Sequence, residues 1–355
     1  MWLRISVLSI IIGLVSASSA GQITLTADDM PSAGDMIPFT VSAVLPDGID
    51  PSETGEAMVW DYSQLSPGIN GVDTFYTVEE TPFLYQFFFN NGLLYPDHQA
   101  DHARKEMSVN LGLVNITNAF SYFKSDDEGY RNVGFGANVN GLPSSVRNIP
   151  IDWIYEFPLE YENESFSPSA SQLEIPTLGY YEHEQERQVL VEGWGTLILP
   201  NQSYEVLKVK MVVNAIDSVY IESLGTGFPI VQPEETIYQW LALGEGEPLL
   251  QISQQVGFGY TVRYRYEDAV AIEELNDVNV RIYPNPASEV LLVNSSENRI
   301  SRYAILDTKG NLFEEEYFDD FRSDLRISLN DLSSAAYVLI IEIDGSSYYS
   351  TFFKD

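Results

Sequence analysis

The chain of 355 residues contains no cysteine, which excludes disulfides, thiol catalysis and thiolate metal sites. Basic residues are also scarce: 18 Lys and Arg stand against 52 Asp and Glu, a formal net charge of −34 at pH 7. Such a surface repels phosphate backbones and anionic membranes, so nucleic acid is excluded as a partner. No apolar run after residue 20 reaches the length of about 20 residues that a membrane span needs. We therefore expect a protein that is not integral to a membrane.

Residues 1–20 have the pattern of a secretory signal peptide. Arg4 supplies one positive charge, residues 5–15 form a short apolar run, and the small residues Ser18 and Ala20 occupy the −3 and −1 positions of a cleavage site. The run is too short for a membrane anchor. We predict that residues 1–20 direct the chain out of the cytoplasm.

The remaining chain has the periodicity of β-strands. Leu207, Val209 and Met211 alternate with more polar neighbours, and no long apolar stripe has a helical period. Four dipeptides favour tight hairpins: Asn70-Gly71, Asn91-Gly92, Asn140-Gly141 and Asp344-Gly345. The predicted class is all-β and antiparallel, because no helical crossovers separate the strands. We expect residues 21–268 to form one large β-sandwich or jelly-roll-like domain.

A second, smaller domain is predicted after a short acidic linker at residues 269–277. Seven short apolar segments follow within residues 278–355, a density typical of a small immunoglobulin-like β-sandwich. The predicted strands are residues 278–283, 289–294, 301–307, 312–318, 325–329, 337–343 and 347–353.

Ordered motifs in this smaller domain resemble the type A sorting domain of the type IX secretion system, found in Bacteroidota. A strand leads into Tyr283-Pro284-Asn285-Pro286, a hairpin carries Asp307 and Gly310, and Tyr337 opens an apolar strand near the end. The resemblance implies that the domain is recognised by the secretion translocon at the outer membrane. It also implies that a surface sortase removes the domain, with the linker as the natural place for the cut. The protein would then be secreted or displayed on the outer cell surface.

The larger region is similar to uncharacterised secreted proteins of the same phylum, on residues 22–31 and 193–210. This likeness implies no activity. Candidate sites must therefore come from the residues themselves.

Two cation sites are possible. Pro96 favours a helix start, and on that helix His98, His102 and Glu106 would lie on one face, where they could ligate zinc. The alternative is a plain surface helix. Asp126-Asp127-Glu128-Gly129 offers hard oxygen ligands beside a turn, which suits calcium, although its spacing differs from an EF-hand loop. The default expectation remains that no cofactor is bound.

Paired carboxylates, aromatics and one serine complete the candidates. Residues 160–164 and 182–186 each place three glutamates on one predicted strand face, which could serve a glycosidase or could simply be solvated. Residues 83–89 could bind a glycan if partly exposed, although a continuous apolar run favours a strand buried on both faces. Asp217-Ser218-Val219 resembles a bacterial O-glycosylation acceptor, with Ser218 as the modified residue.

Two functions follow from these patterns. The first is a non-catalytic surface protein that binds a glycan, a polymer or another surface protein. The second is an extracellular polysaccharide hydrolase with paired carboxylates. The sequence favours the first, because it carries no recognisable catalytic motif and no catalytic residue can be named.

Overall fold

The computed structural model describes residues 22–42, 45–46, 48–106, 108–110, 115–175, 178–256, 260–266, 273–274, 280–295, 300–307, 312–343 and 346–355. The predicted signal peptide lies outside these residues, as does most of the predicted linker. Strands make up 66% and helices 5% of the described residues, which confirms the all-β class. The longest helix of the described part, Gln86–Phe89, has four residues and cannot span a membrane.

Fifteen strands lie in the described part of the larger region. They are β1 (Met36–Ser42), β2 (Gly55–Asp61), β3 (Ile69–Tyr76), β4 (His102–Lys105), β5 (Val109–Asn110), β6 (Asn115–Asp126), β7 (Gly129–Val139), β8 (Leu142–Glu156), β9 (Glu164–Ile175), β10 (Gly179–Ile198), β11 (Ser203–Ile221), β12 (Thr226–Val231), β13 (Glu235–Leu241), β14 (Leu250–Gln255) and β15 (Tyr260–Arg265).

These strands form one continuous sheet. Its order is β2-β10-β11-β13-β14-β15-β1-β3-β4-β6-β7-β8, with β12 beside β11, β5 beside β6 and β9 beside β10. All of these pairs are antiparallel except β2 with β10. The sheet folds over itself, because Phe123, Tyr130 and Tyr155 of β6, β7 and β8 pack against apolar side chains of β10, β11 and β13.

The opposite face of β11 and β13 carries a second core. Trp240 of β13 is fully buried there, with the ring of Tyr62 at 5.3 Å between centroids. On β11, Leu207 and Val209 face the first core, whereas Val206 faces the second. The period-two alternation predicted for this segment is therefore confirmed, but both faces of the strand are covered.

The smaller domain is a β-sandwich. Its strands are β17 (Val280–Tyr283), β18 (Val290–Ser295), β19 (Ile300–Asp307), β20 (Leu312–Arg322), β21 (Asp324–Ser328), β22 (Ala335–Ile343) and β23 (Ser346–Lys354), preceded by β16 (Glu273–Glu274) in the predicted linker. One sheet has the order β16-β23-β22-β19-β20 and the other β17-β18-β21. Within the described residues, β17 to β23 match the seven predicted strands in number and order.

Several local predictions are wrong. No helix runs from Pro96 to Glu106: residues Pro96–His98 form a single 3-10 turn, and His102–Lys105 is strand β4. Residues 83–89 are not a buried strand, because a short helix forms at Gln86–Phe89. Asn70-Gly71 lies inside β3 rather than at a hairpin, and Glu160 and Glu162 precede β9 rather than sharing its face. In each case contacts distant in sequence determine the local structure.

Candidate functional site

Five large apolar side chains within residues 83–94, between β3 and β4, are exposed. Phe83, Leu84 and Phe87 precede or lie in the short helix, and Leu93 and Leu94 follow it. Phe83 is 83% exposed and Leu93 is 92% exposed. We call these five side chains the apolar surface. Large apolar side chains that are exposed this close together in sequence make the segment a candidate site of interaction.

The apolar surface is held in place by two neighbouring side chains that point inward. Tyr85 and Phe89 are four residues apart, as suits one face of a helical turn, and both are fully buried. The ring of Phe89 stacks on Tyr122 at 4.1 Å between centroids. Tyr85 lies against Gly136, where a Cβ atom would come within 2.6 Å of the tyrosine side chain. The exposed residues therefore project from a firmly packed base.

Polar groups border the apolar surface. The Arg147 guanidinium lies 4.6 Å from the ring centroid of Phe88 and 4.8 Å from that of Tyr95. Asn90 donates a hydrogen bond to Glu79 Oε1 at 3.1 Å. A surface with exposed rings and a polar border can bind a ligand that has both apolar faces and hydroxyl groups.

The three residues predicted to bind zinc have separate partners. His98 Nε2 lies 3.0 Å from the backbone oxygen of Asn148. His102 is buried and its Nε2 lies 3.2 Å from the Tyr130 hydroxyl, whereas Glu106 pairs with Arg104 at 3.1 Å. Among the described residues, no group of three or more His, Asp or Glu side chains is placed to hold a metal ion. The zinc hypothesis required the three residues to share one face of a helix, and that helix does not form.

The predicted calcium turn lies between β6 and β7, and cations of the protein itself occupy its carboxylates. Arg131 pairs with Asp126 and also with Glu128, the latter at 3.3 Å. Lys124 approaches Asp126 at 3.8 Å. The positive charges of Arg131 and Lys124 therefore already compensate these two carboxylates, which makes the turn a weaker candidate for calcium binding.

Three glutamates line a shallow cleft at the start of β9. Glu156, Glu160 and Glu164 border it, together with Phe157 and Asn163, and its volume is about 280 Å³. On β10, Glu182, Glu184 and Glu186 alternate along one strand face as predicted, with Glu184 and Glu186 exposed. Of these two sets of glutamates, only the set that lines the cleft could enclose part of a sugar.

A polar cluster that the sequence did not predict is centred on Asp217 of β11. His183 Nδ1 lies 2.7 Å from Asp217 Oδ1, and the Tyr181 hydroxyl donates to the same oxygen at 2.7 Å. Gln232 donates to the other oxygen at 2.7 Å. The hydrogen bond to Asp217 raises the pKa of His183. Burial favours neutral Asp217, but the donors outweigh it and lower the pKa of this carboxyl.

The proposed O-glycosylation residue Ser218 follows this cluster in β11. It is half-buried and lies opposite Glu182 of β10 and Pro229 of β12. Its modification stays a prediction. Only the register of the three strands could have indicated the Asp217 cluster, because its members are far apart in sequence.

In the smaller domain, Tyr283 is the last residue of β17, and Pro284, Asn285 and Pro286 form the exposed turn that follows. The Asn285 side chain is hydrogen-bonded to β23 through Thr351 and Phe353.

The other motif residues lie on the sheet that contains β23. Tyr337 is buried, donates its hydroxyl to the Ser333 backbone oxygen at 3.0 Å, and stacks on Phe352 at 5.7 Å between centroids. Asp307 lies opposite Tyr337 in the β19–β22 pair. Gly310 lies outside the described residues. The turn, the buried tyrosine and β23 thus form one packed unit.

Comparison with known families identifies this unit. Residues 281–354 match the secretion system C-terminal sorting domain. No curated protein matches the chain. The sorting domain indicates export through the type IX secretion system, contact with its machinery, and a secreted or cell-surface location.

Proposed function

We propose that the region before the sorting domain is a non-catalytic binding protein at the outer cell surface, and that its apolar surface takes a neutral glycan. The observation that carries this proposal is the exposure of Phe83, Leu84, Phe87, Leu93 and Leu94 on a packed base. These apolar side chains would be costly to leave in water without a partner.

Charge and shape favour a neutral glycan over other ligands. The net charge of −34 disfavours anionic polymers. The rings of Phe83 and Phe87 can stack on the apolar faces of sugars, and the Asn90 amide at the border can bond to hydroxyl groups. A few polar groups at the edge of an apolar site commonly orient the ligand in this way.

A glycan array probed with the full chain tests the proposal. The wild type is expected to bind one class of neutral glycan, and a Phe83→Ala/Phe87→Ala variant to lose about tenfold or more in affinity, as truncation of aromatic anchors does elsewhere. Phe228→Ala is the matched control, because Phe228 is also exposed, at 47%, but lies on β12. Equal loss in the control, or an array without any bound glycan, contradicts the proposal.

The cleft at Glu156, Glu160 and Glu164 favours a second candidate, a polysaccharide hydrolase with paired carboxylates. This function would release new reducing ends from a polysaccharide. Glu156→Gln and Glu164→Gln would abolish that release but leave binding at the apolar surface intact. Binding without release, in the wild type, supports the non-catalytic function.

A further inference from the structure

The outer edge of β23 is covered by the turn that contains Asn285. The side-chain amide of Asn285 donates to the Thr351 backbone oxygen at 3.1 Å and accepts from the Phe353 backbone N–H at 2.9 Å. Two backbone bonds continue along the same edge: Ala287 N–H donates to the Phe353 oxygen at 2.8 Å, and Asp355 N–H donates to the Ala287 oxygen at 2.9 Å. Four hydrogen bonds therefore join residues 285–287 to residues 351–355.

Asparagine suits this position because its amide carries a donor and an acceptor side by side, as a peptide group does. The amide takes the place of a neighbouring strand for one donor and one acceptor of β23. Aspartate could accept from Phe353 but could not donate to Thr351. Pro284 and Pro286 have no N–H group, so the turn presents no backbone donor at these positions.

Asn285 itself lies outside the core of the sandwich. Asn285 is exposed, whereas Ala287 and Phe352 supply fully buried core contacts. An uncovered strand edge is a template for unwanted pairing. Glu273–Glu274 cover another part of the same edge, where they pair with Tyr348 and Tyr349. β16 thus covers the edge at residues 348–349, and the turn covers it at residues 351–355.

We propose that Asn285 is a positioning residue for export: it fixes residues 351–355 beside the exposed turn, so that the two segments present one composite surface to the secretion machinery. Tyr283 is 47% exposed at one side of this surface, and Asp355 is exposed at the other. The match to the sorting family runs from residue 281 to residue 354 and so includes both segments. This proposal rests on the sorting domain and is independent of the glycan proposal.

Three variants of the full chain test it: Asn285→Ala, Asn285→Asp and the control Asn294→Ala. Asn294 lies on β18 of the same domain, and its amide bonds to Asp324, away from β23. Hydrogen–deuterium exchange over residues 346–355 is expected to quicken about tenfold or more in Asn285→Ala, by local opening of the edge. The exported fraction, measured in cells, is expected to fall several-fold. Asn285→Asp should be intermediate in both measurements, and the control should match the wild type.

Thermal unfolding separates positioning from a merely structural role. The melting temperature of Asn285→Ala, and exchange in β19 and β22, should stay close to the wild type. Wild-type export by Asn285→Ala overturns the proposal. So does reduced export without faster exchange in residues 346–355, an equal loss in Asn294→Ala, or a general rise of exchange throughout the domain.

Discussion

At the scale of single residues, Lys208 of β11 is unusual because its side chain is fully buried. Its ammonium group lies 2.7 Å from Glu192 Oε1 and 2.7 Å from the Glu53 backbone oxygen. The ring of Tyr238 faces it at 4.8 Å. Burial lowers the pKa of Lys208, although Glu192 opposes this shift. The hydrogen bond to Glu53 ties the segment before β2 to the middle of the sheet, and the ion pair joins β11 to β10.

We expect Lys208→Met to reduce the free energy of unfolding by about 3–5 kcal/mol, because Glu192 is then buried without a cation. The double variant Lys208→Met/Glu192→Leu should lose markedly less, since it leaves no buried charge. Urea denaturation of both variants measures the difference. A double variant as unstable as the single one would show that packing at Lys208, rather than the lone carboxylate, is responsible.

His102 gives the fold a dependence on pH. Its ring is buried beside Phe123 and Tyr130, and burial, assisted by Arg104, lowers its pKa to about 4. The unfolded chain protonates this histidine near pH 6.5, so it binds the proton first as pH falls. Stability from neutral His102 is therefore complete above about pH 6.5 and is lost progressively towards pH 4.

The predicted loss from this one group is up to about 3 kcal/mol. Unfolding free energies measured at pH 7 and at pH 4.5 should differ less in His102→Phe than in the wild type. His183 cannot produce this effect, because its raised pKa has the opposite sign: its stabilisation is present at acid pH and is lost as pH rises through its folded value. Identical pH profiles for wild type and variant would contradict the assignment to His102.

At the scale of strands and turns, the sequence predicts a structure correctly where the residues of the turn themselves determine it. Asn140-Gly141 forms the predicted hairpin turn between β7 and β8, with positive φ at both residues. The same dipeptide type fails at Asn70-Gly71, because Gly71 lies under the ring of Phe39 in the β1–β3 pair. Here glycine serves close approach rather than a turn.

The apolar surface is also hard to predict from sequence, because contacts with distant strands decide which of its neighbours are buried. The sequence shows an aromatic run at residues 83–89, but strand periodicity cannot separate its exposed members from its buried ones. Tyr85 and Phe89 are buried because Gly136 and Tyr122 of distant strands receive them. The sequence gives no signal for Leu93 and Leu94, because no motif marks an exposed leucine.

Gly71→Ala tests the close approach between β1 and β3. A Cβ atom at this position would come within 2.5 Å of the Phe39 ring. We expect a loss of about 1–3 kcal/mol in unfolding free energy, typical of overpacking. The loss should shrink in a Phe39→Leu background, which a double-mutant cycle measures. An undiminished loss in that background would locate the cost in the backbone of β3 instead.

At the scale of the whole molecule, the sorting domain is apolar on both faces of β22. Leu339 and Ile341 point into the sandwich core, whereas Val338 and Ile340 point outward. The outward face packs on Ile69 of β3, which is only 2% exposed. The same two-sided burial made β22 easy to recognise as a strand, yet sequence alone could not identify Ile69 as its partner.

Ile69→Asp should separate the sorting domain from this contact, because a carboxylate cannot remain unpaired against Val338 and Ile340. The freed face would then bind a dye such as ANS, which reports exposed apolar surface, and exchange in β22 should quicken. Val59→Asp is the matched control, since Val59 is 62% exposed on the same large sheet. Unchanged dye binding in Ile69→Asp would mean that the outward face of β22 is covered without Ile69. A rise confined to Ile69→Asp would identify Ile69 as a residue that covers the outward face of β22.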